Sequence, residues 1–216
     1  ACAGRSAMTE TLEMITAAGG SGSEHLADLS DKTAAVALYD AAARQDGPFD
    51  ILVNNAGIIR RADAVDFSEA DWDDVLDLNL KTAFFLSQAF GKAAMADDRH
   101  AAIVNIASVL SFQGGIRVAS YTASKHGICG LTRLLACEWA ARNVNVNAIA
   151  PGYIVSNNTE ALREDPDRSA AILGRIPAGR WGEASDIGGA AVFLASDAAR
   201  YVHGAVLPVD GGWLAR

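Results

Sequence analysis

Two kinds of hydrophobic pattern follow each other along this chain. Short apolar runs of four to eight residues predict buried strands, and longer stretches with apolar residues every three or four positions predict helices. The strands are predicted at 23–29, 49–55, 101–108, 144–152 and 204–210. The helices are predicted at 8–20, 31–47, 120–143 and 184–196, with another starting at Ser68 and a helical stretch broken at Asp165-Pro166.

Strand and helix patterns alternate, without an evident linker or repeat. This alternation predicts an α/β fold in which a doubly wound parallel sheet is covered by helices on both faces. We expect residues 1–216 to form a single domain. Ligands of such sheets bind at the carboxyl ends of the strands. Here those ends carry Asp28, the stretch 54–57, Ser108 and the pair Pro151-Gly152.

Composition narrows the class of protein. The 216 residues are 50% hydrophobic and carry a net charge of −8, which argues against a nucleic-acid partner. No apolar run reaches the roughly 20 residues that cross a bilayer, so we expect no membrane partner. The three cysteines lack metal-like spacing and fit a reduced, cytoplasmic protein. The four histidines are scattered, and we expect no metal site.

Candidate chemistry appears in the stretch "SYTASK". Tyr121 and Lys125 are four positions apart on a predicted helix, and Ser108 ends the strand before it. A phenol has a pKa near 10, and a neighbouring ammonium would favour the phenolate, making the tyrosine a usable acid and base. A serine hydroxyl could hold the oxygen of a carbonyl or alcohol while the tyrosine transfers the proton. The alternative is that Tyr121 and Lys125 are a solvated i, i+4 pair.

The chain resembles the short-chain dehydrogenase/reductase family along essentially its whole length. The resemblance rests on "DILVNNAG" at 50–57, Asn79 in "DLNL", "YTASK" at 121–125, "NAIAPGYI" at 147–154 and "VDGGW" at 209–213. The strings "NNAGIIRRAD", "IASVLSFQGGIR" and "PGYIVSNNTEALR" are similar to a narrower group, the 2-deoxy-D-gluconate 3-dehydrogenases. This resemblance implies an oxidoreductase that transfers a hydride between a nicotinamide cofactor and a carbonyl or secondary alcohol of a keto-deoxy sugar acid.

The resemblance also implies a role for each catalytic residue. Tyr121 would be the acid and base, and Ser108 would hold the reacting oxygen. Lys125 would lower the pKa of the tyrosine and bind the nicotinamide ribose. Asn79 would hold a water molecule that links the lysine to solvent; alternatively, it is a buried bracket between a strand and a helix.

The cofactor contacts implied by the resemblance lie at three strand ends. They are Asp28, Leu29, Asn55, Ala56, Gly57, Pro151, Gly152 and Ile154, together with Tyr121 and Lys125. Asp28 could instead be a helix-capping acid, and Pro151-Gly152 only a turn. The start "ACAGRS" looks like the tail of the family's second strand, so Arg5 lies where it could meet the 2′-phosphate of NADP. The resembling group is more usually NAD-linked, and the expectation is NAD(H) rather than NADP(H).

The start of the chain departs from the family pattern. No G-x-x-x-G-x-G or G-x-G-x-x-G occurs near the beginning, where the family has a strand, a glycine-rich turn and a helix that hold the cofactor pyrophosphate. We therefore expect an amino-terminally truncated domain that lacks the first strand and the phosphate-binding turn. Whether such a chain binds cofactor is left open.

A sugar acid needs a cation for its carboxylate. Arg117, Arg60 and Arg61 are candidates for this role, and Gln113 is a candidate for binding hydroxyl groups, as are the polar residues 157–159. Residues 153–182 are interpreted as a substrate lid within the domain. The resemblance also makes a homotetramer plausible. The alternatives are another short-chain carbonyl reductase, similar to gluconate 5-dehydrogenase or to a 3-oxoacyl-carrier reductase, or a non-catalytic Rossmann-like protein.

Overall fold

The strands form two parallel sheets in a computed structural model that describes all 216 residues. The strands are β1 (Cys2–Gly4), β2 (Glu24–Leu26), β3 (Ile51–Asn54), β4 (Ala101–Ile106), β5 (Val144–Pro151) and β6 (Val206–Val209). The smaller sheet pairs β1 with β2, and the larger has the order β3-β4-β5-β6. Every pairing is parallel, and no hydrogen-bonded ladder joins the two sheets.

Helices connect the strands as the sequence pattern predicted. They are α1 (Thr9–Ala17), α2 (Lys32–Asp46), α3 (Glu69–Leu76), α4 (Ala83–Ala96), α5 (Ala119–Trp139), α6 (Glu160–Arg163), α7 (Pro166–Leu173) and α8 (Ala184–Ala195). A π-helical turn, Asp77–Thr82, joins α3 to α4 without a break. The predicted α/β fold with a parallel sheet is confirmed.

Local sequence explains where several helices begin. The Ser68 hydroxyl accepts a hydrogen bond from the Asp71 amide and caps α3, as predicted. The Asp31 carboxylate caps α2 in the same way, accepting from Thr33. Pro166 occupies the first turn of α7, where a missing amide hydrogen costs nothing, and this separates α7 from α6.

Alternation along the central strands places helices on both faces of the larger sheet. Ile103 and Val146 point toward α4 and α5, where they pack with Phe90 and with other apolar residues. Val104 and Ile149 point the other way and pack with Leu194 of α8. Successive residues of a strand face opposite sides, so this distribution is that of a doubly wound sheet.

Strand β3 is the exception to the prediction of buried strands. Ile51 and Val53 are 48% and 47% exposed. Because β3 pairs only with β4, it is an edge of its sheet, and an apolar run in the sequence does not reveal which strands have a neighbour on both sides. The prediction that β3 is a fully buried strand was therefore wrong.

Polar side chains tie the carboxyl ends of β3 and β4 together. The Asn54 amide donates to Asn105 Oδ1 at 2.8 Å and to Ser87 Oγ at 2.9 Å. Asn105 donates in turn to Thr132 on α5 at 3.0 Å. These buried hydrogen bonds fix the edge at which the candidate catalytic residues meet. No helix is both long and apolar enough to span a bilayer.

Candidate active site

Strand β4 delivers Ser108 to the carboxyl edge of the sheet. The residue is 7% exposed and begins a short 3-10 turn, Val109–Ser111, in which its hydroxyl accepts from the Leu110 amide at 3.2 Å. The Ser111 hydroxyl donates to the Lys125 carbonyl at 2.6 Å. The turn after β4 is therefore attached directly to α5, and Ser108 is held beside that helix.

Helix α5 carries Tyr121 and Lys125 one turn apart, at its amino-terminal end. Lys125 is only 5% exposed, and its ammonium donates to the Ile106 carbonyl at 2.6 Å. The lysine nitrogen lies 5.5 Å from the centre of the Tyr121 ring. The alternative of a solvated pair is therefore wrong for Lys125, because its side chain is buried and its ammonium is bonded to the end of a strand.

Burial changes the pKa of both residues. It lowers the pKa of Lys125 to about 8, because the charged form loses solvent. It raises the pKa of Tyr121 for the same reason, whereas the Ser108 hydroxyl and the Arg61 guanidinium lower it. The expected effect of Lys125 on the tyrosine pKa stays a prediction. The lysine is bonded to Ile106, and Arg61 is the cation that acts on the phenol.

Asn79 lies in the π-helical turn and is 3% exposed. Its amide group exchanges two hydrogen bonds of 2.9 Å with the backbone of Ile58, and it donates a third to Ser124 Oγ at 3.3 Å. These contacts are those expected from the alternative interpretation of Asn79, a buried bracket between a strand and a helix. The bracket joins the loop after β3 to the residue next to Lys125, so Asn79 belongs to the site through its position.

Most of the residues expected against a cofactor lie at the ends of β3 and β5, the strands on either side of β4. The stretch Asn55–Gly57 follows β3, and Pro151 closes β5. Gly152 packs closely on Asp210, because a Cβ added at Gly152 would lie only 2.6 Å from the Cα of Asp210. Ile154 forms an isolated bridge with Gly182. The parallel register of β3, β4 and β5 places these segments on the same edge as Ser108.

Asp28 and Leu29 lie beyond β2, in the turn that enters α2. The Asp28 carboxylate accepts from the Ser30 amide and hydroxyl, which together lower its pKa, and Arg5 lowers it further. The cap of α2 is Asp31, so Asp28 is not the helix-capping acid. The Leu29 carbonyl accepts from Thr82 at 2.8 Å, which attaches this turn to the π-helical turn that carries Asn79.

A cavity of about 480 Å³ opens beside Ser108 and Tyr121. Its wall contains the side chains of Arg61, Arg168 and Arg175, and no Asp or Glu. The segment from Tyr153 to Arg175 supplies much of this wall. A cavity with cations and no carboxylates favours an anionic ligand. The hydroxyl groups of Ser108 and Tyr121 suit a carbonyl or alcohol oxygen of that ligand.

Two of the arginines proposed from sequence lie elsewhere. Arg117 pairs with Asp63 at 3.1 Å, and Arg60 pairs with Asp71 and Asp74 at 3.2 Å each. Neither lines the cavity, so their assignment to the substrate is corrected. Gln113 does line the cavity, and its side-chain oxygen accepts from the Trp213 indole at 3.2 Å.

Sequence reasoning missed Arg168, Arg175 and Trp213 as parts of the wall. Arg168 and Arg175 are seven positions apart, and Ile172 between them also faces the cavity. The spacing of Arg168 and Ile172 marks one face of α7, whereas Arg175 lies in the turn that follows the helix.

The residues at this edge fit the nicotinamide end of a dinucleotide. An ammonium, a phenol and the backbone at the ends of β3 and β5 can bind ribose hydroxyls and a carboxamide. No group of His, Cys, Asp and Glu side chains is arranged to hold a metal ion.

Comparison with known proteins agrees with this geometry. A family model described as Enoyl-(Acyl carrier protein) reductase matches residues 2–214. A protein of Escherichia coli (strain K12), named 2-dehydro-3-deoxy-D-gluconate 5-dehydrogenase, is 60% identical over 96% of this chain and 82% of its own length. A protein of the same name from Bacillus subtilis is 52% identical over 98% of this chain and 82% of its own length.

Solved structures show the same fold. An Agrobacterium tumefaciens structure described as a proposed 2-deoxy-D-gluconate 3-dehydrogenase with bound NADP has a TM-score of 0.93 and 64% identity, covering 100% of this chain and 85% of that chain. A Beutenbergia cavernae structure described as a proposed NAD(P)-dependent gluconate 5-dehydrogenase, with NADP bound at low occupancy, has a TM-score of 0.95 and 53% identity. It covers 99% of this chain and 86% of that one.

Proposed function

Because this chain belongs to the short-chain dehydrogenase/reductase family, we propose that its cavity is the active site of a sugar-acid dehydrogenase. The chain is a nicotinamide-dependent oxidoreductase that acts on CH–OH groups of small sugar acids. The observation that carries the proposed site is the position of Ser108 and Tyr121 in a cavity that contains three arginines and no carboxylate.

The proposed chemistry divides between the cofactor and the side chains. When bound, the nicotinamide accepts a hydride from the substrate carbon, or supplies one in the reverse direction. Tyr121 takes the proton of the alcohol, or returns it to the carbonyl oxygen. Ser108 donates a hydrogen bond to that oxygen and holds it beside the phenol. The nearby Arg61 charge supports the phenolate form that the base requires.

Lys125 is proposed to serve the cofactor. Its ammonium lies at the end of β4 and now bonds only to the Ile106 carbonyl, which leaves two of its three donors for ribose hydroxyls. Asn79 is proposed to help hold this region in place, since it joins Ile58 to Ser124 beside the lysine. The segments Asn55–Gly57 and Pro151–Ile154, with Asp28 and Leu29, are proposed as the remaining cofactor contacts.

NADP is the proposed physiological cofactor, in place of the NAD expected from sequence. Three similar solved structures, at 64%, 53% and 35% identity, are described with bound NADP. Arg5 supports this choice because it directly follows β1 and carries an exposed guanidinium that suits a 2′-phosphate.

The reacting carbon is proposed to be C5 of 2-dehydro-3-deoxy-D-gluconate, rather than the C3 position that the sequence resemblance suggested. Relatives at 60%, 58% and 52% identity carry the 5-dehydrogenase name. A similar structure at 64% identity is described with the 3-dehydrogenase name, so the position needs a direct test.

Two larger-scale features are also proposed. Residues 153–182 act as a lid, since Tyr153 to Arg175 form one wall of the cavity. A homotetramer is proposed because apolar side chains on and beside α8 are exposed, with Val192 at 70%, Phe193 at 41% and Tyr201 at 100%. Light scattering coupled to gel filtration measures the assembly; a monomer would contradict it.

The experiment that tests the function is a turnover assay with 2-dehydro-3-deoxy-D-gluconate, 2-deoxy-D-gluconate and D-gluconate. Each is offered with the oxidised and the reduced forms of NADP and of NAD, and carbon NMR locates the carbon whose oxidation state changes. We expect NADP-linked reaction at C5. Reaction at C3 would correct the position, preference for NAD would correct the cofactor, and no turnover of any sugar acid would overturn the proposal.

A further inference from the structure

Three arginines face the cavity without an acidic partner, although acidic residues outnumber basic ones in the chain by 26 to 18. Arg60, Arg99, Arg117, Arg180 and Arg200 pair with aspartates, and Arg61, Arg168 and Arg175 are among the arginines that have no such pair. In a chain with this excess of carboxylates, unpaired guanidinium groups gathered at one cavity favour a negatively charged ligand there.

Arg175 is held in place by an aromatic platform. Its guanidinium carbon lies 3.9 Å from the centre of the Trp213 ring, a stacked arrangement that leaves the edge of the guanidinium free to donate. The Trp213 indole donates to Gln113, and the ring packs against Tyr153 with 4.6 Å between centroids. Arg175 is therefore oriented by groups that do not occupy its own hydrogen-bond donors.

Arg168 lies on α7, and Arg175 lies in the turn just after that helix; both line the cavity. Burial raises the pKa of the Tyr153 phenol, and the charges of Arg175 and Arg168 both act on that phenol to lower it. The Arg168 side chain has no hydrogen-bond partner and no ion pair in this structure, while the backbone amide of the residue is capped by Asp165. Two guanidinium groups thus converge near one phenol.

Arg61 stands apart from this pair. It already donates to the Asn158 carbonyl at 2.9 Å, and it lies close enough to Tyr121 to lower the pKa of that residue. An arginine beside the proton-transfer group suits the reacting oxygen better than it suits a charged group at the far end of the substrate.

We propose that Arg175 and Arg168 bind the substrate carboxylate and so select acids over neutral sugars. Arg175 is the main ligand and Trp213 the residue that positions it. This inference rests on the proposed function, since it assigns one end of the same substrate. The carboxylate then lies against α7, and the alcohol carbon faces Ser108 and Tyr121. No acidic side chain of the cavity wall competes for the two guanidinium groups.

The test compares D-gluconate with D-glucitol, which differ only in having a carboxylate or a CH₂OH group at C1. Steady-state constants are measured with NADP for the wild type, Arg175→Gln and Arg168→Gln. Losing a charge-assisted hydrogen bond weakens binding by roughly 10- to 100-fold. We expect kcat/KM for D-gluconate to fall by about this factor in Arg175→Gln, mainly through KM, and by less in Arg168→Gln. The values for D-glucitol should stay within about threefold.

Controls separate selectivity from damage to the fold. Arg200→Gln removes an exposed arginine that pairs with Asp197 outside the cavity. This variant should leave kcat/KM unchanged for both substrates. Arg175→Lys keeps the charge without the planar fork and should recover part of the loss. Equal losses for D-gluconate and D-glucitol in Arg175→Gln would overturn the proposal, as would an unchanged preference for D-gluconate.

Equilibrium binding of D-gluconate, followed by tryptophan fluorescence, distinguishes failure of this inference from failure of the proposed function. A wild type that binds D-gluconate without turnover, and an Arg175→Gln variant that binds it about 10-fold or more weakly, would retain the carboxylate site and reject the dehydrogenase. Turnover in both with equal affinity for D-gluconate would retain the dehydrogenase and reject the carboxylate site.

Discussion

The amino-terminal segment, residues 1–26, and the four-stranded sheet differ in how much they bury. Strands β4 and β5 are buried along almost their entire length, whereas α1 has no buried residue and β1 and β2 are three residues each. Ser108, Tyr121 and Lys125 all belong to the well-buried part. The proton-transfer groups therefore rest on the well-buried part of the molecule, and the proposed 2′-phosphate ligand, Arg5, on the exposed part.

Hydrogen exchange should show the largest contrast between the two regions. Backbone amides of β5 should exchange only through global unfolding, which for a domain of this kind costs about 5–15 kcal/mol. Amides of α1 should exchange through local opening at a small fraction of that cost. Native-state exchange followed by mass spectrometry or NMR makes the measurement. Equal protection of α1 and β5 would remove the distinction between the regions.

The next largest difference between the two regions should be in the free energy of unfolding that is lost when one large side chain is truncated in each. Phe90 is 1% exposed and packs edge-on against Tyr39 at 6.4 Å between centroids. Phe90→Ala should lower the free energy of unfolding by about 3–5 kcal/mol, because it leaves a cavity in the core. Met14 is 67% exposed, and Met14→Ala should change it by less than about 0.5 kcal/mol. Urea unfolding measures both, and similar losses would contradict the comparison.

The buried lysine makes stability of the sheet region depend on pH. Burial lowers the pKa of Lys125 from 10.5 to about 8, so between these values the unfolded chain binds a proton that the folded chain has released. Stability contributed by this group therefore rises with pH over that interval, by about 3 kcal/mol in total. The wild type should gain most of this amount relative to Lys125→Met between pH 7 and pH 10, as measured by urea unfolding.

An exposed lysine provides the control. Lys92→Met, on the solvent side of α4, should leave the pH dependence of unfolding as it is in the wild type. If Lys125→Met and the wild type follow parallel curves, the ammonium is not buried at a cost in the folded protein.

The smallest expected effect concerns helix capping. Ser68 accepts from the Asp71 amide at 3.1 Å at the start of α3, and Ser68→Ala should lower the free energy of unfolding by about 1 kcal/mol. Helix α1 has no side-chain cap, so Thr9→Ala in its first turn should change it by less than about 0.5 kcal/mol. Thermal unfolding of the two variants makes the comparison; an equal or larger loss in Thr9→Ala would contradict it.

Local chemistry explains which parts of the fold were predictable. Apolar spacing and the cap at Ser68 are properties of a few neighbouring residues, and the helices they predicted are present. The exposure of Ile51 and Val53 depends on which strand lies next to β3, and this is a long-range fact that a single run of residues does not contain. The π-helical turn around Asn79 also gives no local signal.

The candidate site shows the same division. Ser108, Tyr121 and Lys125 were found because strand and helix order brings them to one edge. Arg60 and Arg117 were chosen for closeness in sequence, but each is neutralised by an aspartate. Arg175 was missed because only the packing of α7 over the cavity and the stacking on Trp213 identify it.

The central claim is that Tyr121 transfers the proton in an arginine-lined sugar-acid site. The direct measurement is turnover of 2-dehydro-3-deoxy-D-gluconate and D-gluconate with NADP(H) by the wild type and by Tyr121→Phe, with D-gluconate affinity followed by tryptophan fluorescence. We expect Tyr121→Phe to lose about 10²- to 10⁴-fold in kcat while its affinity for D-gluconate stays within about threefold of the wild type. Unchanged turnover in Tyr121→Phe would contradict the assignment of the active site.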